Sequence, residues 1–271
     1  MSTVKTLLFY EDLALKRTET EIDLNSIPKQ FHKLIEGADV YDSSCSPEAR
    51  VFYIDRDCGY FLKKAPLGSL QKEALLARYF HKKGFTAPIL EYISLEDDWL
   101  LSERVAGEDA THSIYLGDPK RLAVRSAEIL RALHETDLSD CPVKTRMNDY
   151  FDTVDENYKK GTFDLSYANF ATADEAYRHT LEGRNMLKND TLIHGDYCLP
   201  NFLMQDWKFS GFVDLGNGGV GDRHVDLFWG AWTLNFNLHT DQYRDLFFDA
   251  YGRDKIDPDA LFVVSAAEVF G

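Results

Sequence analysis

The stretch "LIHGDYCLPNFLMQDWKFSGFVDLGNGGVGDRHVDLFW", residues 192–229, constrains this chain more than any other. It holds two overlapping patterns that cannot both be in use. Gly216, Gly218 and Gly221 spell G-x-G-x-x-G after an apolar run, which in a β-α-β unit cradles a dinucleotide pyrophosphate. Asp214-Leu215-Gly216 is an acid-x-glycine pair, which in kinases holds magnesium under ATP. The dinucleotide reading needs a second buried strand ending in an acid roughly 20 residues on. Asp241 has the distance, but "TLNFNLHTD" before it does not read as a buried strand. Only 50 residues follow Gly221, too few for the rest of a doubly wound sheet.

The kinase reading makes an upstream demand that is met. His194, Asp196 and Asn201 stand in the order and spacing of the catalytic loop H-R-D-x-x-x-x-N, with Gly195 in place of Arg. Phosphoryl transfer to an alcohol needs a carboxylate within reach of the attacking hydroxyl, the role of Asp196. It also needs oxygen ligands for Mg²⁺, a role that suits the Asn201 amide and the Asp214 carboxylate. "NFLMQDWKFSGFVDL" reads as a hairpin turning near Asp206, which returns Asp214 to the neighbourhood of Asn201. His194 reads better as a satisfied core histidine than as a reacting group.

The remaining chain falls into two parts. Residues 40–64 read as strand–turn–strand, and "ILEYISLEDDWLLSERVAG" reads as two more strands ending near Gly107. Between them "SLQKEALLARYFHKKGFTAP" reads as a helix capped by Ser69, with Lys82 and Lys83 at its negative end and Gly84 stopping it. Beyond Gly107 the pattern turns helical: Asp118 caps and Pro119 opens a helix carrying Leu122, Ile129, Leu130 and Leu133, and 224–239 and 258–270 read as helices. The fold class is therefore α+β and two-lobed, with a nucleotide-binding lobe over 1–103 and a catalytic, acceptor-binding lobe over 104–271. The first lobe should offer a phosphate-gripping lysine, Lys63 or Lys64, and a helical acid to pair with it, Glu73.

Bulk properties narrow the partners. Forty-five acidic against 30 basic residues give a formal charge of −15, which disfavours nucleic acid and suits a cationic small molecule. No segment has the length and apolarity of a membrane span or a secretory leader. Cys45, Cys58, Cys141 and Cys198 form no zinc or C-x-x-C spacing and read as reduced thiols of a cytoplasmic protein. No A-P-E motif follows Asp214, so the acceptor reads as a small molecule rather than a protein.

"HGDYCLPN" followed by "FSGFVDLGNGGVGDRHVDLFW" resembles the signature of the aminoglycoside 3′-phosphotransferases, a family with a protein-kinase-like fold. "SCSPEARVF", "YFLK", "KEALLARYF" and "LLSERVAG" fall in that family's N-lobe order, whereas residues 110–185 match poorly. The resemblance implies ATP or GTP as donor, Mg²⁺, and an aminoglycoside as cationic acceptor. It selects Lys63 to grip the phosphates with Glu73. It implies that Ser46 meets the β-phosphate, that Phe61 stacks on the base, and that the backbone from Ser102 to Arg104 reads the base's edge. It makes Asp226 a structural brace for the catalytic loop. It also implies acceptor contacts from Glu268 and Phe270 in the terminal "AAEVFG", with Asp164 as a further acid and Trp232 against a sugar ring.

Two departures touch the acceptor pocket. The family usually carries arginine where this chain has Asn217 and again where it has Trp232. They keep open another acceptor: a different antibiotic, or a choline- or homoserine-like alcohol. A nucleotide-binding module without catalysis fits less well, since such a scaffold has no chemical need for Lys63, Asp196, Asn201 and Asp214 together. Oligomeric state, monomer or dimer, is not legible.

Overall fold

The computed structural model of the chain describes residues 18–45, 47 and 49–271. Its N-terminal part is an antiparallel sheet of β1 (Thr18–Glu19), β2 (Asp39–Asp42), β3 (Arg50–Asp55), β4 (Tyr60–Pro66), β5 (Ile89–Ser94) and β6 (Asp97–Glu103), ordered β1-β2-β3-β4-β6-β5. A one-turn helix, α1 (His32–Ile35), covers one face, and α2 (Gln71–Lys82) the other.

Alternation along β4 sorts its two lysines. Leu62 is buried with Phe52, Ile54 and Trp99, and Lys64 on the same face lies over the Trp99 ring and pairs with Asp97 at 2.8 Å. Lys63 shares the opposite face with Ala65, which packs against Leu70, Ala74 and Leu100 beneath α2. One step of register therefore decides which lysine meets the helix.

The start of α2 differs from expectation. Ser69 does not cap it; its hydroxyl turns back to the Pro66 carbonyl at 2.6 Å. Asp98, from β6 and fully buried, accepts the Leu70 N–H at 2.9 Å and is also bonded by Ser94 and Tyr92. A cap from another strand leaves no trace in local spacing. The end of α2 is as expected, with Gly84 at φ +80°.

The second part begins with β7 (Glu108–Asp109), the one-turn α3 (Ser113–Leu116) and α4 (Pro119–His134), whose Asp118 cap and Pro119 start are as expected. Helices α5 (Arg146–Lys160) and α6 (Ala173–Gly183) follow, then β8 (Thr191–Ile193), β9 (Phe202–Gln205), β10 (Lys208–Phe212) and β11 (Gly219–Gly221). The hairpin of β9 and β10 turns at Asp206 and Trp207, both at positive φ. Helices α7 (Arg223–Leu238), α8 (Arg244–Tyr251) and α9 (Pro258–Ala267) complete the chain. The glycines of the G-x-G-x-x-G pattern lie in a turn and in β11, which pairs antiparallel with β8. That geometry is not a mononucleotide crossover.

One apolar core joins the two parts. Leu76 and Phe80 of α2 pack in the same cluster as Leu130, Leu133, Phe212 and Leu234. Two hydrogen bonds pin the segment after α2 to β10: Phe212 N–H to the Phe85 carbonyl at 2.7 Å, and the Thr86 hydroxyl to the Phe212 carbonyl at 2.7 Å. The four cysteines are free, and among the described residues no helix is long and apolar enough to cross a membrane.

Candidate active site

Strand β8 carries the chain to His194, where it must turn. Gly195 sits at φ +82°, and a Cβ on it would lie 1.9 Å from the Asn217 carbonyl oxygen. Glycine, not arginine, is what this close crossing admits. The turn is held from below by Asp226 of α7, whose carboxylate accepts the His194 and Gly195 N–H groups at 2.7 Å each. His194 is fully buried, and its Nε2 meets the Val213 carbonyl at 2.9 Å, the geometry of a core histidine.

Beneath Asp226 lies His134 of α4, buried, with Nε2 3.1 Å from Asp226 and Nδ1 2.8 Å from the Tyr251 hydroxyl. Burial lowers the His134 pKa against the pull of Asp226, so the ring is neutral, donating to Asp226 and accepting from Tyr251. On the other side of the loop, Thr233 Oγ accepts the Leu199 N–H at 3.2 Å.

The loop presents Asp196. The Asn201 amide nitrogen reaches its Oδ2 at 2.8 Å and its carbonyl at 2.9 Å, and the Cys198 thiol hydrogen-bonds its side chain. Burial pushes the Asp196 carboxyl upward; His194, Cys198 and Asn201 pull it down, and Asp214 adds to the rise. Asp214 follows the β9–β10 hairpin, with the Val213 N–H on the Asn201 carbonyl at 2.9 Å. Its backbone is left-handed, at φ 56° and ψ 57°, an uncommon state for a non-glycine residue.

Lys63 reaches across from β4, its ammonium 2.8 Å from Glu73 of α2 and 3.1 Å from Asp214. Burial alone would lower its pKa, yet the two carboxylates outweigh that and raise it, so the side chain stays charged. Lys63, Glu73, Asp196, Asn201 and Asp214 are thus gathered in one place from both parts of the chain.

Other expected residues are placed as follows. Phe61 lies 5.2 Å, ring to ring, from Tyr53. Ser102 pairs with both Phe61 and Ile89, while the Glu103 and Arg104 N–H groups are engaged by the Pro88 and Gly59 carbonyls. Ser46 lies outside the described residues. Asn217 is exposed, and it is its carbonyl that takes part, accepting from Arg146 Nε at 2.7 Å. Asp164 is exposed and caps the turn Leu165–Tyr167. Glu268 is buried, bonded by the Tyr150 hydroxyl at 2.8 Å and by Trp229. Burial pushes its pKa up to about 7. Phe270 is core, packed edge-on against Tyr158 and Tyr177. Trp232 is half-buried and stacks on Phe236 at 4.9 Å.

Sequence reading passed over His134, Arg146, Tyr150 and Tyr167, and read Cys198 only as a reduced thiol. A signal existed for His134, a polar residue on the stripe of Leu130 and Leu133. Arg146 and Tyr150 lie on a helix too polar to stand out.

An antiparallel sheet with a short helix on one face and the long helix α2 on the other, joined to a helical lobe that carries a carboxylate loop, defines the class of two-lobed, kinase-like phosphotransferases. The model of the phosphotransferase enzyme family matches residues 47–261, and the chain belongs to that family. It is 47% identical over 257 residues to a probable aminoglycoside 3′-phosphotransferase of Lactococcus lactis subsp. lactis (strain IL1403), covering 93% of this chain and 98% of that one. It is 27% identical over 251 residues to an aminoglycoside 3′-phosphotransferase of Streptomyces fradiae, covering 86% and 91%. Among solved structures, it matches an aminoglycoside phosphotransferase from Streptomyces rimosus ATCC10970, in complex with ADP and streptomycin, at a TM-score of 0.69 and 18% identity over 93% of this chain and 100% of that one. A type VIII aminoglycoside-3′-phosphotransferase gives a TM-score of 0.67 at 22% identity, covering 92% and 97%. These two likenesses show the fold.

Proposed function

We propose that this chain transfers the γ-phosphate of ATP (or GTP) to the 3′-hydroxyl of an aminoglycoside, with residues 1–103 holding the nucleotide and 104–271 the acceptor. The observation that carries the chemistry is the convergence of Asp196, Asn201 and Asp214 from one lobe on Lys63 and Glu73 of the other. The acceptor class is supported by the full-length relative at 47% identity.

The residues fit magnesium. The Asn201 amide nitrogen is committed to Asp196, so the atom it can offer a cation is its oxygen, and Asp214 adds a carboxylate. An amide oxygen and a carboxylate are the hard donors Mg²⁺ prefers, and the ion, when bound, neutralises charge on the phosphates. Lys63, kept cationic by Glu73, meets the phosphates from above. Asp196, held in orientation by Asn201, receives the acceptor hydroxyl and takes its proton as the O–P bond forms and the bond from phosphorus to the leaving ADP breaks. Ser46, Phe61 and the 102–104 backbone are assigned to the nucleotide, and Glu268, Asp164, Asn217, Trp232 and Phe270 to the acceptor side, where Phe270 acts through packing.

Mass spectrometry after incubation with ATP, Mg²⁺ and an aminoglycoside panel tests this reading. A gain of one phosphate on at least one member, mapped to the 3′ position, is expected. Phosphate gain only on a non-aminoglycoside alcohol would assign the chain to another acceptor, the alternative that Asn217 and Trp232 keep open.

A further inference from the structure

Arg146, the first residue of α5, is only 9% exposed, and its guanidinium has an uncommon partner. Nε donates to the Asn217 carbonyl at 2.7 Å, and among the described residues the side chain makes no other hydrogen bond and no ion pair. Its Cζ lies 5.9 Å from the Tyr150 ring. Burial lowers its pKa, against the pull of Asp149, Glu268 and Asp226. A buried cation is costly and is ordinarily held by a carboxylate. This one is held on a backbone carbonyl, so the place of that carbonyl decides what the burial achieves.

The carbonyl lies where the two segments carrying the catalytic groups cross. Asn217 ends the turn Leu215–Asn217, which leads directly from Asp214. A Cβ on Gly195 would stand 1.9 Å from the Asn217 oxygen, so the turn rests on the residue before Asp196. Gly218 is closely seated too: a Cβ there would lie 3.1 Å from the Ile193 carbonyl oxygen and 3.3 Å from that of His194. Two bonds brace the start of α5 beside this crossing. The Met147 N–H meets Asn189 Oδ1 at 3.0 Å, and the Val143 carbonyl accepts the Val220 N–H at 2.8 Å. We propose that Arg146 is a positioning residue for phosphoryl transfer: its hydrogen bond fastens the turn after Asp214 onto the catalytic loop and so fixes the Asp214 carboxylate relative to Asp196 and Asn201. It acts through Asn217, not on a reacting atom, and the inference rests on the roles given to those three residues above. Without the bond all three groups remain, but their spacing varies, which penalises a Mg²⁺ complex more than nucleotide alone.

Calorimetric titration of ADP with and without Mg²⁺, and steady-state kinetics with kanamycin and neomycin, test this on the wild type and Arg146→Met. Methionine keeps an apolar stem against Tyr150 and removes the donor. The variant should lose most of the gain in ADP affinity that Mg²⁺ gives the wild type and about tenfold in kcat, with Mg²⁺-free ADP affinity within about threefold and Tm little lowered. If Arg146→Met does not fold, Arg146→Lys, which keeps the charge but not the planar guanidinium, should show the same two losses at about threefold or more. An unchanged Mg²⁺ gain and kcat overturn the inference. So does a variant in which Mg²⁺-free affinity, Mg²⁺ gain and Tm all fall together, the mark of a merely structural residue. Either result leaves the aminoglycoside reading standing where the wild type phosphorylates a probe. A wild type that shows the Mg²⁺ gain but phosphorylates neither probe overturns the acceptor reading alone, and the calorimetry still decides on Arg146. A wild type without any Mg²⁺ gain overturns the inference and the metal site together.

Discussion

Gly195 shows how one missing side chain holds the site together. Its replacement by alanine sets a methyl group against the Asn217 carbonyl at a φ that L side chains rarely adopt, so the loop must shift. A displacement near 1 Å of Asp196 costs on the order of a hundredfold in turnover. Gly195→Ala should therefore fold with a lowered Tm and lose about that much kcat, whereas wild-type kcat would show that the loop relaxes elsewhere. Glu268 gives a pH signature. Its carboxyl titrates near 4.5 in the unfolded chain and about 7 in the fold, where burial disfavours its charge, so folding takes up a proton between those values. The associated stabilisation, about 3 kcal/mol, is complete below pH 4.5 and lost as pH rises through 7. Glu268→Gln should therefore gain stability relative to wild type between pH 5 and 8, measured as the difference in Tm along that series. A difference that stays constant across the series would refute the raised pKa.

Among elements, α2 is the one whose position matters most, since it carries Glu73. Its entry is fixed by Asp98 rather than by a residue of its own. Burial alone would raise the Asp98 pKa, but bonds from Ser94, the Gly68 and Leu70 N–H groups and Tyr92 hold it below the ordinary value. Asp98→Ala leaves those buried donors unmatched and should cost about 1–3 kcal/mol, read by urea unfolding. A cost near zero would mean that another group caps the helix. The same contrast explains which elements were legible in the sequence. Helix α4 announced itself through Asp118, Pro119 and a dense apolar stripe, and β3, β4 and β6 through β-branched and aromatic runs bounded by turn residues. Helices α5 and α6 did not, because their buried residues are few or small: Met147, Tyr150 and Val154 in one, Ala176, Thr180 and Gly183 in the other. Strand β7 is two residues long and exists only because β9 pairs with it. The residues proposed to be catalytic were legible because such chemistry demands fixed types at fixed spacing. The contact of Tyr167 with Trp229 was not, since it forms only through tertiary packing.

At the scale of the whole molecule, the lobes meet through unequal contacts. Lys72–Asp149 at 2.9 Å and Lys83–Asp137 at 3.6 Å are partly exposed pairs, and each should contribute less than about 1 kcal/mol. Lys72→Ala should accordingly leave Tm within a few degrees, while a large loss would mark that pair as a principal clamp. The shared apolar core and the site itself hold the lobes more firmly. Lys63 from one lobe and Asp214 from the other meet at 3.1 Å, with Asp196 close enough to feel the Asp214 charge, where the proposed function puts the phosphates. Glu73→Ala should raise KM for ATP about tenfold or more by freeing Lys63 from its orientation, with melting little changed. The most direct measurement of the whole account is Asp196→Asn, assayed in parallel for Mg²⁺-nucleotide binding and for phosphate transfer to an aminoglycoside. Retained nucleotide affinity with transfer reduced by at least about a hundredfold is the predicted result. Transfer at the wild-type rate would contradict it, and would remove the Asp196 carboxylate from the chemistry.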